Sequence, residues 1–231
     1  MNKKTLSQSP AFSRVIPFAT YMLFILASDL VKPLIPPGVL HDNFTAVVYP
    51  VKILAVTALL VFYRKSYDEL RPDQLKAAHI LPALSIGAIV FVLWINMDWG
   101  FATVGTPDTY DPGLLPGKAW YYAFIAVRLA GAALVVPVFE EIFWRSFVLR
   151  YIISQNFTAV RIGTFTWTSF IISSLLFGSE HNLWLAGIMA GVFYNLLLYR
   201  TKSIPACVIA HGVTNLLLGI YVIRTESWQF W

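Results

Sequence analysis

Residues 77–97 read AAHILPALSIGAIVFVLWINM, and from Ala77 to Met97 there is no Asp, Glu, Lys or Arg. About 20 mainly apolar residues are enough for a helix to cross the hydrocarbon core of a bilayer. By length and composition this stretch is therefore a membrane-spanning helix. The same pattern repeats outward along the chain. Further apolar segments run over 15–35, 44–63, 119–151, 162–181, 183–199 and 203–223. The segment at 119–151 is unusually long, and 203–223 has no acidic or basic residue apart from His211. The expected fold class is an all-α polytopic membrane helical bundle of about seven transmembrane helices, with eight as the alternative count.

Composition supports this class. The chain has 231 residues, 58% hydrophobic and 13% charged, against about 25% charged in an ordinary soluble domain. The net charge of +5 fits cytoplasmic loops and anionic headgroups, so a nucleic acid partner is not expected and the lipid bilayer is. The single Cys207 excludes an internal disulfide and a cysteine-only metal site. The first apolar segment follows Lys3, Lys4 and Arg14 but ends in Val31-Lys32-Pro33 with no small-x-small cleavage site, unlike a removable signal peptide.

Ordinary stop signals separate the segments. Pro33, Pro36, Pro37 and Gly38 close the first, and Pro107, Asp108, Asp111, Pro112, Gly113, Pro116 and Gly117 mark the longest loop. There is no internal repeat and no low-complexity tract. One integral membrane domain over 1–231 is expected, with helices in 1–117 that carry no recognised motif and a catalytic helical core in 118–223. Lys3, Lys4, Arg14, Arg64, Lys65, Arg71, Lys76, Arg150, Arg161, Arg200 and Lys202 fall in alternate loops. Lys32, Lys118 and Arg224 are the exceptions. The positive-inside rule then puts the N-terminus in the cytoplasm and, with seven spans, the C-terminus outside.

Three polar groups interrupt the apolar runs. Ionisable side chains at membrane depth are costly and mark functional sites by default. The first group is Glu140-Glu141-Ile142-Phe143-Trp144-Arg145, directly after AALVVPVF at 132–139. Neighbouring helical carboxylates point about 100° apart and need different partners. Glu141 and Arg145 stand at i, i+4 with the acid first, the favourable order for an internal ion pair. Glu140 is then left to face a cavity, where it suits a general base acting on water. A helix end with Arg145 snorkelling towards headgroups is the bland alternative.

The second group is Phe177-Gly178-Ser179-Glu180-His181. A neutral imidazole at His181 can share the attacking water with Glu140 or pass its proton to the leaving amine. Taken alone, a His beside Trp184 at the membrane interface is the favoured reading. Glu180 reads as a solvated or interfacial partner. The third is His211-Gly212-Val213-Thr214-Asn215, whose i, i+4 spacing puts imidazole and carboxamide on one helix face. Both can donate to one point, as an oxyanion hole requires. A plain interhelical hydrogen bond beside the small Ala210 and Gly212 is the competing reading. A carboxylate, two imidazoles and an amide from three segments can converge in a helical bundle.

Glu-Glu-x-x-x-Arg, Phe-x-x-x-His and His-x-x-x-Asn, in this order within 140–215, resemble the motifs of the CPBP intramembrane proteases, which include the type II CAAX prenyl endopeptidases and the bacterial Abi proteins. Leu183–Gly187, Tyr199–Ser203 and Ser227–Trp231 look like the bacterial CAAX prenyl protease-related proteins found alongside exosortase and PEP-CTERM sorting systems. The resemblance implies a glutamate-type endopeptidase of helical fold in a bacterial inner membrane. Its substrate would be a protein or peptide at the membrane, and exosortase-system proteins would be possible partners. By motif position Glu140 and His181 would activate water, His211 and Asn215 would hold the oxyanion, and Glu141 and Arg145 would support them, with no cofactor. Nothing in the sequence marks a prenyl-binding groove.

Three other readings stay open. Glu140, His181 and His211 have the makings of a two-His, one-carboxylate zinc site. A non-enzymatic scaffold of a sorting system would leave these residues individually dispensable. A transporter is weaker, since no inverted repeat is visible. One conflict is built into a plain alternating topology. Glu140 lies nearer the cytoplasmic end of the fourth segment, and His211 about 12 Å into the last from Ser203. His181 would sit near the outer end of the fifth. The three meet only if that helix is short, displaced or broken near Gly178.

Overall fold

Among the described residues, seven apolar helices of 13 residues or more build the bundle. A computed structural model describes residues 9–105 and 110–231. Lys3 and Lys4 of the orientation argument and Pro107 and Asp108 of the longest loop lie outside the described residues. The helices are α1 (Pro10–Val31), α2 (Phe44–Phe62), α3 (Ala77–Trp94), α4 (Lys118–Ile153), α5 (Trp167–Ser179), α6 (Trp184–Thr201) and α7 (Ile204–Thr225). No strand occurs among the described residues.

Local chemistry sets the ends. Pro10 opens α1 and Pro205 lies in the first turn of α7, where a missing N–H costs nothing. The side chains of Thr166 and Ser203 accept from the backbone N–H groups of Ser169 and Ala206 and cap α5 and α7. Lys202, in the left-handed conformation at φ 55°, stops α6.

The all-α bundle stands as expected, but the number of helices that qualify as membrane spans is smaller. Among the described residues five are long and apolar enough to cross a membrane: α1, α2, α3, α4 and α7. The fifth apolar segment begins at Trp167 rather than at 162, so α5 is only 13 residues long, about 20 Å of rise. The chain before it runs as turns, with Gly163 at φ 71°. The segment read as the sixth span forms the 18-residue α6, whose inward-facing Tyr194 and Asn195 and terminal Arg200 dilute its apolar character.

Helix α7 is the centre. It packs along α3, α6 and the middle of α4, while α5 pairs with α6 and α1 with α2. Val90, Phe177, Tyr194, Leu198, Cys207 and Ala210 close one core, and Tyr49, Val56, Phe124 and Phe139 another between α2 and α4. The outer faces of α1, α2 and α3 leave Leu23, Leu54 and Leu81 exposed, as lipid contact requires.

The basic end of the bundle is tied together by polar contacts. Arg14 of α1 donates to both carboxylate oxygens of Glu69, at 2.9 and 2.8 Å. Ser146 of α4 also donates to Glu69. Arg150 donates to the Ser146 hydroxyl at 2.8 Å. Ser203 donates to the Gln74 carbonyl at 2.7 Å, and Lys202 to the Gly163 carbonyl. The loops after α2, α4 and α6 therefore meet the start of α1 at one end. At the other end, Val104 and Asn182 are paired backbone to backbone at 2.8 Å.

Candidate active site

Helix α4 changes its winding twice around the two glutamates. The stretches Gly131–Val135 and Ile142–Val148 are π-helical, with Val136–Glu141 as ordinary α-helix between them. Such wider turns inside α-helices occur frequently at functional sites, because they shift the register of side chains and backbone bonds. Here the first one presents the Ala132 carbonyl to Asn215, whose Nδ2 donates to it at 2.9 Å. Gly212 lets α7 approach this turn, since a Cβ there would stand 2.8 Å from the Ala133 carbonyl oxygen.

The two neighbouring carboxylates have separate surroundings. Glu141 is fully buried, and its Oε1 accepts from Arg145 Nη1 at 3.1 Å and from His211 Nδ1 at 3.0 Å. Arg145 is 1% exposed, so it does not reach towards headgroups. Its guanidinium lies over the rings of Phe177 and Tyr194, at 4.3 and 5.2 Å from their centroids. Glu140, also buried, turns the other way and lines a cavity of about 430 Å³ together with Glu180, His181, His211 and Asn215. Its Oε2 has no hydrogen-bond partner and lies 3.8 Å from His211 Nε2.

His181 comes from the turn that follows α5. Its Nδ1 lies 2.8 Å from the Phe177 carbonyl oxygen. A carbonyl only accepts, so this contact puts a hydrogen on Nδ1 and leaves the Nε2 lone pair free. Trp94 and Phe177 pack against the ring at centroid distances of 5.3 and 5.0 Å. A close crossing of α5 and α6 fixes the turn. A Cβ on Gly187 would stand 2.9 Å from Gly178 Cα and 3.0 Å from His181 Nδ1.

His211 is held on both sides as well. Tyr194 stacks on it at 5.0 Å and donates from its hydroxyl to Thr214 Oγ1 at 2.8 Å. Thr214 in turn donates to the Gly87 carbonyl at 2.9 Å.

Thus Glu140, His181, His211 and Asn215 meet at one cavity, with Glu141 and Arg145 behind it. The depth conflict disappears because α5 is short: its C-terminal turn stops inside the bundle, level with the middle of α4. Glu180 is where the sequence reading departs most from the geometry. It is half-buried and lines the cavity, accepting from Trp144 Nε1 at 2.9 Å. Its position beside His181 was the one available signal. The donor set also differs from the zinc set read from sequence. Glu140, Glu180 and His181 each bring a ligand atom within 4.8 Å of the others. His211 stands outside this group, its Nδ1 committed to Glu141.

Residues 120–217 match the family described as type II CAAX prenyl endopeptidase Rce1-like. The matched segment contains every residue of the cavity set named above and supports the resemblance to the CPBP family carried by the three motifs. No curated protein and no solved structure matches the chain.

Proposed function

We propose that this chain is an intramembrane endopeptidase that hydrolyses a peptide bond of a membrane-associated protein at the Glu140 cavity. The convergence of Glu140, Glu180 and His181 within 4.8 Å of one another carries this reading. The family match over residues 120–217 supports the same class of reaction.

In this mechanism a water held between Glu140 and His181 Nε2 attacks the scissile carbonyl carbon. Its proton passes to Glu140, and His181 accepts a hydrogen bond from the hydroxyl that remains. The new C–O bond gives a tetrahedral intermediate whose oxyanion faces α7. Asn215 offers the amide hydrogen that Ala132 does not use, and His211 offers Nε2–H. Because Nδ1 is already bonded to Glu141, that second donation requires the imidazolium form of His211. As the C–N bond breaks, Glu140 returns its proton to the leaving amine. Trp94 and Phe177 beside His181 lower the local dielectric, which strengthens the electrostatic contacts there. The resemblance suggests a bacterial inner membrane, and the positive-inside distribution favours a cytoplasmic N-terminus.

The test is cleavage of a membrane-anchored reporter by purified protein in nanodiscs. Glu140→Gln removes cleavage while insertion and folding persist; full cleavage by that variant overturns the glutamate mechanism.

One observation favours a second reading. Two carboxylates and one imidazole within 4.8 Å also have the chemistry of a divalent-metal site, with Glu180 where the sequence offered His211. A zinc ion held by Glu140, Glu180 and His181 would supply an activated water. Metal analysis of purified protein, with chelation and re-addition of zinc, separates the two readings.

A further inference from the structure

The Glu140 cavity has a second, oppositely charged end. Lys52 and Arg128 line it together with Glu140. Both lie inside membrane-spanning helices, Lys52 at the middle of the 19-residue α2 and Arg128 on α4. A cation at that depth is costly and marks a functional position unless a partner neutralises it. Among the described residues neither has a carboxylate at ion-pair distance. Asp29 of α1 lines the cavity too; it is exposed and acts on Lys52 only from beyond ion-pair distance.

Aromatic rings hold the two cations in place of anions. Lys52 Nζ lies over Tyr21 and Tyr49, at 4.1 and 5.2 Å from the centroids. Arg128 lies over Tyr49 and Trp231, at 4.8 and 5.4 Å. The shared Tyr49 ring brings both charges to one spot, and the Tyr49 hydroxyl fixes it by donating to the Arg128 carbonyl at 3.1 Å. Cation–π contacts orient a cation without neutralising it. Two basic side chains held at one spot in a cavity, with no carboxylate at ion-pair distance, present the donors that an anion needs.

We propose that Lys52 and Arg128 form a carboxylate-binding subsite for the peptide substrate. This rests on the endopeptidase reading, which supplies the peptide. Arg128 precedes Glu140 by twelve residues of α4, about 18 Å of rise. An extended chain advances about 3.3 Å per residue, so the carboxylate lies roughly five residues from the scissile bond. Both a free C-terminus and an acidic side chain at that distance carry the required group.

Binding to the Glu140→Gln protein in nanodiscs tests the subsite without hydrolysis. The probes are three fluorescein-labelled apolar 12-residue peptides. One has a free C-terminus, one an amidated C-terminus, and one an amidated end with Glu among its last four residues. The expected result is at least about tenfold tighter binding of a carboxylate-bearing peptide than of the amidated one, as for a hydrogen-bonded charge. The preference falls to about one in Lys52→Met and Arg128→Met and survives in Lys52→Arg. Which peptide is preferred identifies the source of the carboxylate. Equal binding of all three, no binding, or a preference that outlives both Met substitutions overturns the subsite. So does loss of co-purified anionic phospholipid as the only effect of the substitutions. The two readings fail separately. Carboxylate-dependent binding without cleavage by the wild-type protein removes the endopeptidase reading and keeps the subsite. Cleavage indifferent to the carboxylate does the reverse.

Discussion

Trp144 donates its indole hydrogen to Glu180 across 2.9 Å, and this contact joins the middle of α4 to the turn that ends α5. It sets the depth of Glu180 and His181 in the bundle and brings them level with Glu140. Trp144→Phe keeps the ring contacts with Phe18, Phe143 and Phe177 but removes the donor. A typical hydrogen bond contributes about 0.5–1.5 kcal/mol. A fall in kcat of up to about tenfold, with KM little changed, is expected in a reporter-cleavage assay.

Glu140→Gln removes the proton acceptor and leaves a side chain of the same shape. General-base contributions of about 10²- to 10⁴-fold are typical, so cleavage falls by at least a hundredfold. Because Glu140 Oε2 has no hydrogen-bond partner to lose, the Tm in detergent stays within a few degrees of wild type. Initial rates and thermal unfolding on one preparation check both halves.

Arg145→Met breaks the buried pair with Glu141 and leaves that carboxylate in the core with His211 as its remaining partner. Removal of one partner of a buried pair costs about 3–5 kcal/mol. Denaturant unfolding in mixed micelles is expected to show a loss of that size. Glu141→Gln combined with Arg145→Met recovers part of it, since neither charge is then left alone.

Gly187→Ala tests the crossing of α5 and α6. The added methyl would meet Gly178 Cα at 2.9 Å and His181 Nδ1 at 3.0 Å. The backbone cannot yield as a flexible side chain can, so the turn carrying His181 shifts. Overpacking of this kind costs about 1–3 kcal/mol, and activity falls more steeply than Tm. Equal activity in the two proteins would show that the crossing tolerates the methyl.

Outside the spans, Glu69 makes the basic end sensitive to acid. Burial alone would push its carboxyl up, but the Arg14 guanidinium and the hydrogen bonds from Arg14 and Ser146 hold it below the ordinary 4.5. The unfolded chain therefore binds a proton there more readily than the folded one. The resulting stabilisation is complete above about pH 4.5 and is lost as pH falls through the lowered folded value. Tm of wild type should fall more steeply below pH 4.5 than that of Glu69→Gln.

Hydropathy is a property of each segment by itself, so the seven apolar helices and the all-α membrane class could be read directly from the chain. The Glu141–Arg145 pair was equally legible, because i, i+4 partners on one helix are neighbours whatever surrounds them. The separation of Glu140 from Glu141 followed from the 100° turn between adjacent residues. The length of α5 was not legible: the apolar run continues upstream of Trp167, and only the turns around Gly163 and the cap at Thr166 decide where the helix begins. From that shortness follow the depth of His181 and the entry of Glu180 into the cavity. The charge at the far end of the cavity was hidden for the same reason. Lys52 and Arg128 lie 76 residues apart, and no local rule pairs them. The sequence by itself determined the solvent this protein folds in and the side chains that solvent would not tolerate. Only the packing of α4, α5 and α7 decided which of them face one another, because burial and distance across helices are set by the whole bundle.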